Sequence, residues 1–456
     1  MWFLFTLVPL LHANTPIPEE VREEATAWLS TYLQVDTVNP PGNEARAVDF
    51  LSQILDDEHI TYTRHTFAPG RDNVIARLES GSDAPPLCLL SHTDVATAEA
   101  DGWPTDKGPL SGAVVDGEIW GRGALDMKGM TILQLQTMVW LKRLEVPLQR
   151  DVILLAVGDE EVGNQGIQHL IEHHWQDIGC SHVLNEGGVG LPDLFFAGQT
   201  VYPISVGEKG VLWAKLIAMG EPGHGSTPTP DESPERLHRA ITRLERRAFQ
   251  PTYHPAVVEL LGAVGEERGG ISGRVLQTPW LWRGMLKRRF ATNPLLRATV
   301  TDTVHITGYG GALKPNVVPV SAWAHVDMRT LPGTDHDTLL TDLQALIDDP
   351  NVSFEVLQER PAAVSPVDDA FYDAIQEAIL SHRPDAVVGP ALSVGFTDSI
   401  FLRELGVHAY GMVPFELDEE ALRSFHGNNE RIDVDNLVRG IQIVYDAVHA
   451  FVSENP

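Results

Sequence analysis

Residues 86–94 read Pro-Leu-Cys-Leu-Leu-Ser-His-Thr-Asp, an apolar run that ends in a histidine and an aspartate. The apolar part has the length of a buried strand, so His92 and Asp94 come directly after that strand. Similar apolar runs recur and alternate with helical segments: the runs occupy residues 73–77, 152–157 and 182–184, and the helices residues 19–33, 127–144 and 166–175. This alternation predicts an α/β fold, a doubly wound mixed sheet covered on both faces.

The character of the sequence changes near Gly207. A strand is predicted at residues 211–219, a helix at 234–247, a strand of alternating polarity at 317–328 and a helix at 336–347. The α/β pattern then returns and closes with a strand at 407–412 and a helix at 434–452. We therefore predict one α/β domain in two parts, residues 15–205 and 362–456, interrupted by an inserted α+β domain at residues 207–354.

The charge of the chain limits its partners. The 456 residues contain 33 Lys and Arg against 63 Asp and Glu, a formal net charge of −30. Proteins that bind phosphate backbones or anionic lipid surfaces use Lys and Arg, so we exclude nucleic acid and anionic lipid as main partners. The two cysteines, Cys88 and Cys180, form no Cys-x-x-Cys pair, and any metal site must therefore use histidine and carboxylate ligands.

The first residues form a separate feature. An apolar run at residues 2–11 ends at His12-Ala13, which suits a small-residue cleavage site. We predict a signal peptide at residues 1–13 and export to the periplasm or the medium. The alternative is a buried strand or a translated leader on a cytoplasmic protein. No later stretch has the apolar length of a membrane span, so we expect a soluble mature protein.

Residues 252–304 fall within the inserted domain and contain Trp280, Trp282 and the basic cluster Lys287-Arg288-Arg289. We interpret this segment as a solvated helix face with apolar anchors. The alternative is a binding patch.

Polar groups follow several of the predicted strands. A histidine that binds a metal through one ring nitrogen commonly needs a carboxylate on the other nitrogen, and Asp94 is a candidate for that role beside His92. A glycine-rich turn at residues 121–129 presents Asp126, which is either a helix cap or a metal ligand.

Two adjacent carboxylates, Glu160 and Glu161, follow the apolar run at residues 152–157. Adjacent carboxylates repel each other unless a cation is bound nearby. In that case one carboxylate binds the metal and the other acts as a general base. The alternative is a solvated acidic loop. Glu186 follows the next short strand, and His426 lies between the last strand and the last helix.

Four of these motifs follow strands, and the carboxyl ends of parallel strands meet at one edge of an α/β sheet. The five donors fit two cations that share one bridging carboxylate; they are His92, Asp126, Glu161, Glu186 and His426. Imidazole and carboxylate ligands without a thiolate indicate two Zn²⁺, with Co²⁺ or Mn²⁺ as alternatives.

The order of these motifs resembles the aminoacylase, acetylornithine deacetylase and carboxypeptidase-S-like family of di-zinc metallopeptidases. Members share His-x-Asp, Gly-Arg-Gly-x-x-Asp-x-Lys-Gly, Glu-Glu, a further acidic residue and a late His-Gly. The resemblance spans nearly the whole chain and also includes four shorter stretches, at residues 36–44, 223–226, 316–319 and 395–398.

The resemblance implies a role for each matching residue. Asp126 is the bridging ligand, and the remaining ligands are His92 with Glu186 on one metal and Glu161 with His426 on the other. Glu160 is the general base, and Asp94 orients His92.

The resemblance also assigns residues in the inserted domain, which is the family's lid and dimerisation domain. His224 contacts the scissile carbonyl oxygen, often across the interface of a homodimer. Asn316, Arg329 and the Gly395 loop contact the carboxylate or amide of the substrate. For Arg329 the alternative is a surface salt bridge.

The expected function is hydrolysis of an amide bond next to a free carboxylate, in a small peptide or an N-acyl amino acid. The protein would be a carboxypeptidase or an N-acyl-amino-acid amidohydrolase. A deacetylase or desuccinylase of a biosynthetic amino-acid intermediate is the alternative. A non-catalytic binding relative is disfavoured because all five ligands are intact.

Overall fold

The structure is a computed structural model that describes residues 18–247 and 250–453. The predicted signal peptide at residues 1–13 lies outside the described residues. The chain divides into two compact units. The α/β unit comprises the described parts of Met1–Val206, Ser365–Ala391 and Thr397–Pro456, and the inserted unit comprises Gly207–Val364 and Leu392–Phe396.

The elements up to the insertion are, in chain order, α1 Glu19–Leu33, α2 Ala45–Asp57, β1 Thr61–Ala68, β2 Arg71–Leu78, β3 Leu87–His92, β4 Ala113–Val115, β5 Glu118–Trp120, α3 Lys128–Arg143, β6 Val152–Val157, α4 Gln165–Ile178, β7 His182–Pro192 and β8 Thr200–Glu208. The inserted elements are β9 Gly210–Met219, β10 Gly223–His224, α5 Ser233–Glu245, α6 Pro255–Arg268, α7 Gly270–Gln277, α8 Arg283–Thr292, α9 Pro294–Ala298, β11 Thr303–Gly310, β12 Val317–Val318, β13 Ser321–Thr330, α10 His336–Ile347 and β14 Val352–Arg360. The chain closes with α11 Ala370–His382, β15 Val387–Ser393, α12 Ser399–Glu404, β16 His408–Glu416, α13 Glu419–Ser424, β17 Arg431–Asp433 and α14 Val434–Val452.

Eight strands form the central sheet, in the order β1-β2-β6-β3-β7-β16-β8-β15. Strands β6, β3, β7 and β16 are parallel, whereas β1 to β2, β2 to β6 and β8 to β16 are antiparallel. All six residues of β3 and of β6 are buried, as expected for parallel strands with helices on both faces. The prediction of a doubly wound mixed sheet is therefore confirmed.

A small second sheet in the α/β unit, ordered β17-β5-β4, matters for the site. Strand β17 pairs antiparallel with β5, so Arg431 lies opposite Trp120. The loop before β17 is thereby held against the glycine-rich turn after β5, although about 300 residues separate them in sequence.

The inserted unit contains an antiparallel sheet in the order β11-β13-β9-β14. Buried residues alternate along β13 and pack with α5 and α10 in one core, which includes Leu212, Leu237, Met328 and Leu343. Within the described residues, no helix combines the length and apolarity that crossing a membrane requires.

Two details of the inserted unit differ from the sequence prediction. The strand predicted at residues 317–328 is two strands, β12 and β13, with Pro319 between them. Proline has no N–H to donate to a ladder, which explains the interruption. The predicted end of the insertion, Phe354, falls inside β14, which pairs with β9 as far as Arg360. Most side chains of β14 are at least partly exposed, so no apolar run marked it.

Candidate metal centre and active site

His92 is the last residue of β3, and its side chain is almost fully buried. Its Nδ1 lies 2.9 Å from the backbone carbonyl of Asp94, so Nδ1 carries the proton and donates to that carbonyl. The other ring nitrogen, Nε2, faces Oδ1 of Asp126, 3.0 Å away. A proton or a metal ion can occupy the position between these two atoms, and an imidazole and a carboxylate that face each other in this way can bind a shared cation.

Asp126 ends the turn that begins at Gly121 and precedes α3. Its two carboxylate oxygens face different histidines, with Oδ1 3.0 Å from Nε2 of His92 and Oδ2 3.1 Å from Nε2 of His426. The single carboxylate of Asp126 thus contacts both His92 and His426. This is the arrangement that a bridging ligand requires.

Glu160 and Glu161 lie in the turn after β6. Oε2 of Glu161 is 3.1 Å from Nε2 of His426, and ligand atoms of His92, Asp126 and Glu161 lie within 4.8 Å of one another. Glu160 belongs to a second group of donors with His92 and Glu186, which also lie within 4.8 Å of one another. The structure therefore brings both adjacent carboxylates to the centre. Glu161 lies beside His426, and Glu160 lies beside Glu186.

Glu186 lies inside β7 and not after a short strand ending at residue 184, as the sequence predicted. The pairing of β7 with β16 changes register here, because Gly411 pairs with Asn185 and Met412 with Gly188. Glu186 and Gly187 consequently have no partners in that ladder. This irregularity gives a carboxylate its place in the middle of a long strand, 3.9 Å from His92.

His426 has a backbone φ of +53°, a left-handed conformation that is uncommon for residues other than glycine. Gly427 follows it, and a Cβ there would lie 2.5 Å from the backbone oxygen of Arg423. The tight loop therefore needs glycine after the histidine. Residues held in sparsely populated conformations are typical of functional sites.

Glu430 anchors this loop to the glycine-rich turn, and the sequence analysis assigned it no role. Its buried carboxylate accepts hydrogen bonds from the backbone N–H groups of Gly123, Leu125 and Asp126, at 3.1, 2.8 and 3.2 Å. The other oxygen accepts a bond of 2.6 Å from Arg122. Glu430 is four positions after His426, and Arg122 lies in the Gly-Arg-Gly motif. The pairing of β17 with β5 brings these two stretches together.

Asp94 supports the opposite side of the centre. Its carboxylate is 3.6 Å from Nδ1 of His92, farther than its own backbone carbonyl. The carboxylate accepts instead from the backbone N–H groups of Glu160 and Glu161, at 3.1 and 3.2 Å, and from Asn39 at 2.7 Å. Asp94 thus orients His92 through its main chain and the two glutamates through its side chain.

Behind this turn lies a further buried network that the sequence analysis missed. Asn39 also donates to Asp159, which forms an ion pair with Arg71 at 2.8 Å. Arg71 is in turn bound to Glu44. Asn39 and Glu44 belong to the shared stretch at residues 36–44, and their contacts hold the loop of Glu160 in place.

The protonation equilibria of the centre are strongly perturbed. Burial favours neutral His92, but its bonds to Asp126 and Asp94 outweigh burial and raise its pKa well above the usual value. Burial and the charge of Glu186 raise the pKa of Glu160. Burial and the charge of Asp126 do the same for Glu186. Hydrogen bonds to Asp126 and Glu161 raise the pKa of His426 to about 10. All these shifts have the sign expected where carboxylates outnumber cations.

The donors fit bound metal ions. Across residues 18–247 and 250–453, no Lys or Arg forms an ion pair with Asp126, Glu160, Glu161 or Glu186. Within the same ranges, the buried Oε1 of Glu161 has no hydrogen-bond partner. Buried carboxylates are stable only when they are paired or bind metals. The residues that would hold the ions are the predicted five, with Asp126 between the two sides.

Two predicted residues of the inserted unit come together. His224 on β10 pairs with Val317 on β12, and the carbonyl of Asn316 accepts a bond of 3.1 Å from Gly225. The backbone N–H of Ser226 donates to Nδ1 of His224 at 3.2 Å. Nδ1 is therefore an acceptor, and the proton is assigned to Nε2, which is exposed with the rest of the side chain.

The other two predicted substrate contacts lie elsewhere. Arg329 on β13 donates from Nε to Asp327 at 2.8 Å, and its guanidinium lies over the ring of Trp213, 5.6 Å from the centroid. This is the salt bridge that was the alternative for Arg329, and its role as a carboxylate clamp stays a prediction. Gly395 is exposed in the segment after β15.

Imidazole and partly buried carboxylate donors at the carboxyl edge of an α/β sheet, with a further carboxylate of raised pKa beside them, indicate a metal-dependent hydrolase. The chain belongs to Peptidase family M20/M25/M40, whose sequence profile matches residues 88–450. The predicted family is confirmed, and the protein is a hydrolase that acts on amide bonds.

Several relatives show where the chain lies within this family. It is 30% identical over 372 residues to human N-fatty-acyl-amino acid synthase/hydrolase PM20D1, covering 80% of this chain and 73% of the relative. It is 28% identical over 455 residues to rat aminoacylase-1B, covering 96% and 97%.

Solved structures share the fold. An M20 family metallo-carboxypeptidase from Sulfolobus solfataricus has a TM-score of 0.71 at 18% identity, with 94% of this chain and 99% of that chain covered. A dinuclear metal-binding M20 peptidase from Bacillus subtilis has a TM-score of 0.62 at 14% identity, with 95% and 99% covered.

Proposed function

We propose that the protein is a two-zinc hydrolase that cleaves the amide bond next to a free carboxylate, as an N-acyl-amino-acid amidohydrolase or a carboxypeptidase. The observation that carries the proposal is the position of Glu160, a carboxylate of raised pKa beside a cluster of five intact metal donors. The names of the relatives favour N-acyl amino acids first, because both an N-fatty-acyl-amino acid hydrolase and an aminoacylase match most of the chain.

His92 and Glu186 would hold one zinc ion, Glu161 and His426 the other, and Asp126 both. When bound, these ions supply a Lewis acid that activates water and polarises the substrate carbonyl. Glu160 accepts the proton of the attacking water and delivers it to the leaving amine nitrogen. A raised pKa suits this task, because the carboxylate must take up a proton and release it again near neutral pH. Asp94 positions Glu160 through the backbone bond of 3.1 Å.

His224 is proposed as the donor to the oxyanion that forms on the carbonyl. Its assigned tautomer supports this role, because Nε2 carries the proton and Nδ1 is occupied by Ser226. Such a donor is worth about 3–4 kcal/mol of transition-state stabilisation. We also propose that the inserted unit forms a homodimer, and that the protein is exported after removal of residues 1–13. Sedimentation equilibrium and N-terminal sequencing of the native protein test these two points.

A substrate panel tests the proposed specificity. Zinc-loaded protein is assayed with an N-oleoyl amino acid, an N-acetyl amino acid and a dipeptide, each as the free acid and as the C-terminal amide. We expect hydrolysis of the free acids and at least a hundredfold loss of kcat/KM for the amides. Equal rates for acid and amide would contradict recognition of the free carboxylate. Turnover confined to N-acetylornithine or an N-succinyl diamino acid would support the biosynthetic alternative instead.

A further inference from the structure

One segment of the inserted unit has a charge opposite to that of the whole protein. Residues 268–301 contain no Asp or Glu and seven basic residues, which are Arg268, Arg274, Arg283, Lys287, Arg288, Arg289 and Arg297. In a chain of net charge −30, this run of 34 residues carries +7. The net charge of the whole chain therefore conceals a strongly basic region, and the exclusion of anionic lipid, which was based on that net charge, does not extend to this segment.

The same segment exposes large apolar side chains. Trp280, Leu281 and Trp282 are consecutive, and 54%, 71% and 42% of their respective surfaces are accessible; Ile271 is 81% exposed. These exposures contradict the prediction that Trp280 and Trp282 are apolar anchors. Exposed apolar groups gathered in this way indicate a contact surface.

The two helices around the tryptophans show how the surface is built. Helix α7 buries Gly273, Val275 and Leu276 and leaves Ile271 and Arg274 exposed, three positions apart on its outer side. In α8 the buried residues include Leu286 and Phe290, whereas Arg288 is exposed. Residues 280–282 lie in the connection between the helices. Each helix is thus fixed by one face, and the connection presents its apolar side chains outward.

We propose that residues 268–301 form a docking surface for a membrane that contains anionic lipid. Tryptophan and leucine side chains enter the boundary between headgroups and acyl chains, where the indole N–H stays hydrated, and arginine binds lipid phosphate. The exposed side chains of residues 280–282 supply the apolar part, and the exposed Arg274 of α7 and Arg288 of α8 supply the basic part. Glu266 and Glu267 precede the segment and Asp302 follows it, so the basic excess belongs to the stretch between them. Charges more than about 8 Å from that stretch are screened at physiological salt.

A second copy of this acidic chain is the competing occupant, since it also offers negative charge. The lipid surface is favoured because residues 268–301 contain no Asp or Glu, so within this stretch no like charge opposes an anionic membrane. The proposed membrane docking is independent of the proposed reaction. If the docking proposal fails, the hydrolase assignment is unaffected.

Vesicle sedimentation tests the proposal. The full zinc-loaded protein is mixed with vesicles of phosphatidylcholine and phosphatidylglycerol (3:1) or of phosphatidylcholine alone, at 50 and 500 mM salt. The variants are Trp280→Ala/Trp282→Ala and Arg274→Glu/Arg288→Glu. The controls, Leu313→Ala and Arg246→Glu, alter an exposed apolar and an exposed basic residue outside the segment.

We expect binding to the anionic vesicles that weakens at high salt and falls at least tenfold in both double variants. Both controls should bind like the wild type, and all proteins should hydrolyse a short-chain N-acyl amino acid at equal rates. Equal binding to both vesicle types, or unchanged binding of both double variants, would overturn the proposal. If no vesicle is bound and Arg274→Glu/Arg288→Glu converts a dimer to a monomer, the occupant is a second copy.

Discussion

Two clusters of histidine and carboxylate lie at opposite edges of the same sheet. At the amino edge, His182 begins β7 and His408 begins β16, and both ring nitrogens meet Oδ2 of Asp369, at 3.1 and 2.7 Å. Oδ1 of Asp369 accepts the backbone N–H of Phe371 and so caps α11. At the carboxyl edge, His92 and His426 face four carboxylates.

The difference is one of charge balance. At the amino edge a single carboxylate has two histidine donors, and the charge of Arg150 acts on it as well. Both carboxylate oxygens of Asp369 have hydrogen-bond partners, and this cluster has more cationic partners than carboxylates, so we expect it to need no metal ion although its ligand atoms lie within 4.8 Å of one another. At the carboxyl edge the carboxylates outnumber the histidines and, in the described part of the chain, lack Lys or Arg partners. The excess of negative charge, and not the mere proximity of ligands, marks the metal centre.

Removing the central carboxylate of each cluster should show the difference between the two clusters most clearly, as a difference in kcat/KM. Asp126→Ala is expected to lower kcat/KM roughly 10⁴-fold, because the residue that faces both histidines is lost. Asp369→Ala should leave kcat/KM within about twofold of the wild type. Steady-state hydrolysis of an N-acyl amino acid measures both values. Similar losses in the two variants would show that the clusters do not differ as described.

The next largest effect should come from Glu160. Glu160→Gln keeps the size of the side chain but cannot accept a proton, and a general base contributes typically 10²–10⁴-fold. We expect kcat to fall by roughly 10³-fold while the zinc content stays unchanged. Elemental analysis together with kcat distinguishes the base from a ligand. Full activity of this variant would refute the assignment of Glu160.

The buried pair behind the carboxyl edge should affect stability. Glu430→Gln leaves Arg122 without its counter-charge in a fully buried position, which costs about 3–5 kcal/mol in the free energy of unfolding. Glu419→Gln is the control, because its pair with Arg423 is exposed and should change that free energy by less than about 0.5 kcal/mol. Denaturation in urea gives both numbers, and equal values would show that the Glu430 network is unimportant.

The smallest effect is predicted at the amino edge. Asp369→Asn keeps an acceptor for the cap of α11 but weakens the two histidine bonds, so the free energy of unfolding should fall by about 1 kcal/mol. Zinc content should not change. A loss of zinc in this variant would mean that the amino edge also binds metal.

The sequence predicted much of the carboxyl edge because most donors lie at the end of a strand or in a turn, and the fold class sets where strand ends meet. The structure brings His92, Asp126, Glu161 and His426 together there, whereas Glu186 reaches this edge from inside β7. The register change that positions Glu186 within β7 was not visible, since it depends on pairing with β16.

What the sequence could not predict depends on contacts between distant segments. Glu430 meets Arg122 across 308 positions through the short pairing of β17 and β5, and neither strand has an apolar run that marks it. The exposure of Trp280 was not predicted for another reason. Apolar side chains are expected to be buried, and the total net charge of −30 does not reveal the basic residues near this tryptophan.

Counting zinc by elemental analysis tests the central claim most directly. The wild type, Asp126→Ala and Asp369→Ala are loaded with zinc, desalted and analysed. The charge-balance account predicts two zinc ions per chain in the wild type and in Asp369→Ala, and fewer than one in Asp126→Ala. A wild type that retains no zinc, or an Asp126→Ala variant that retains both ions, would contradict it.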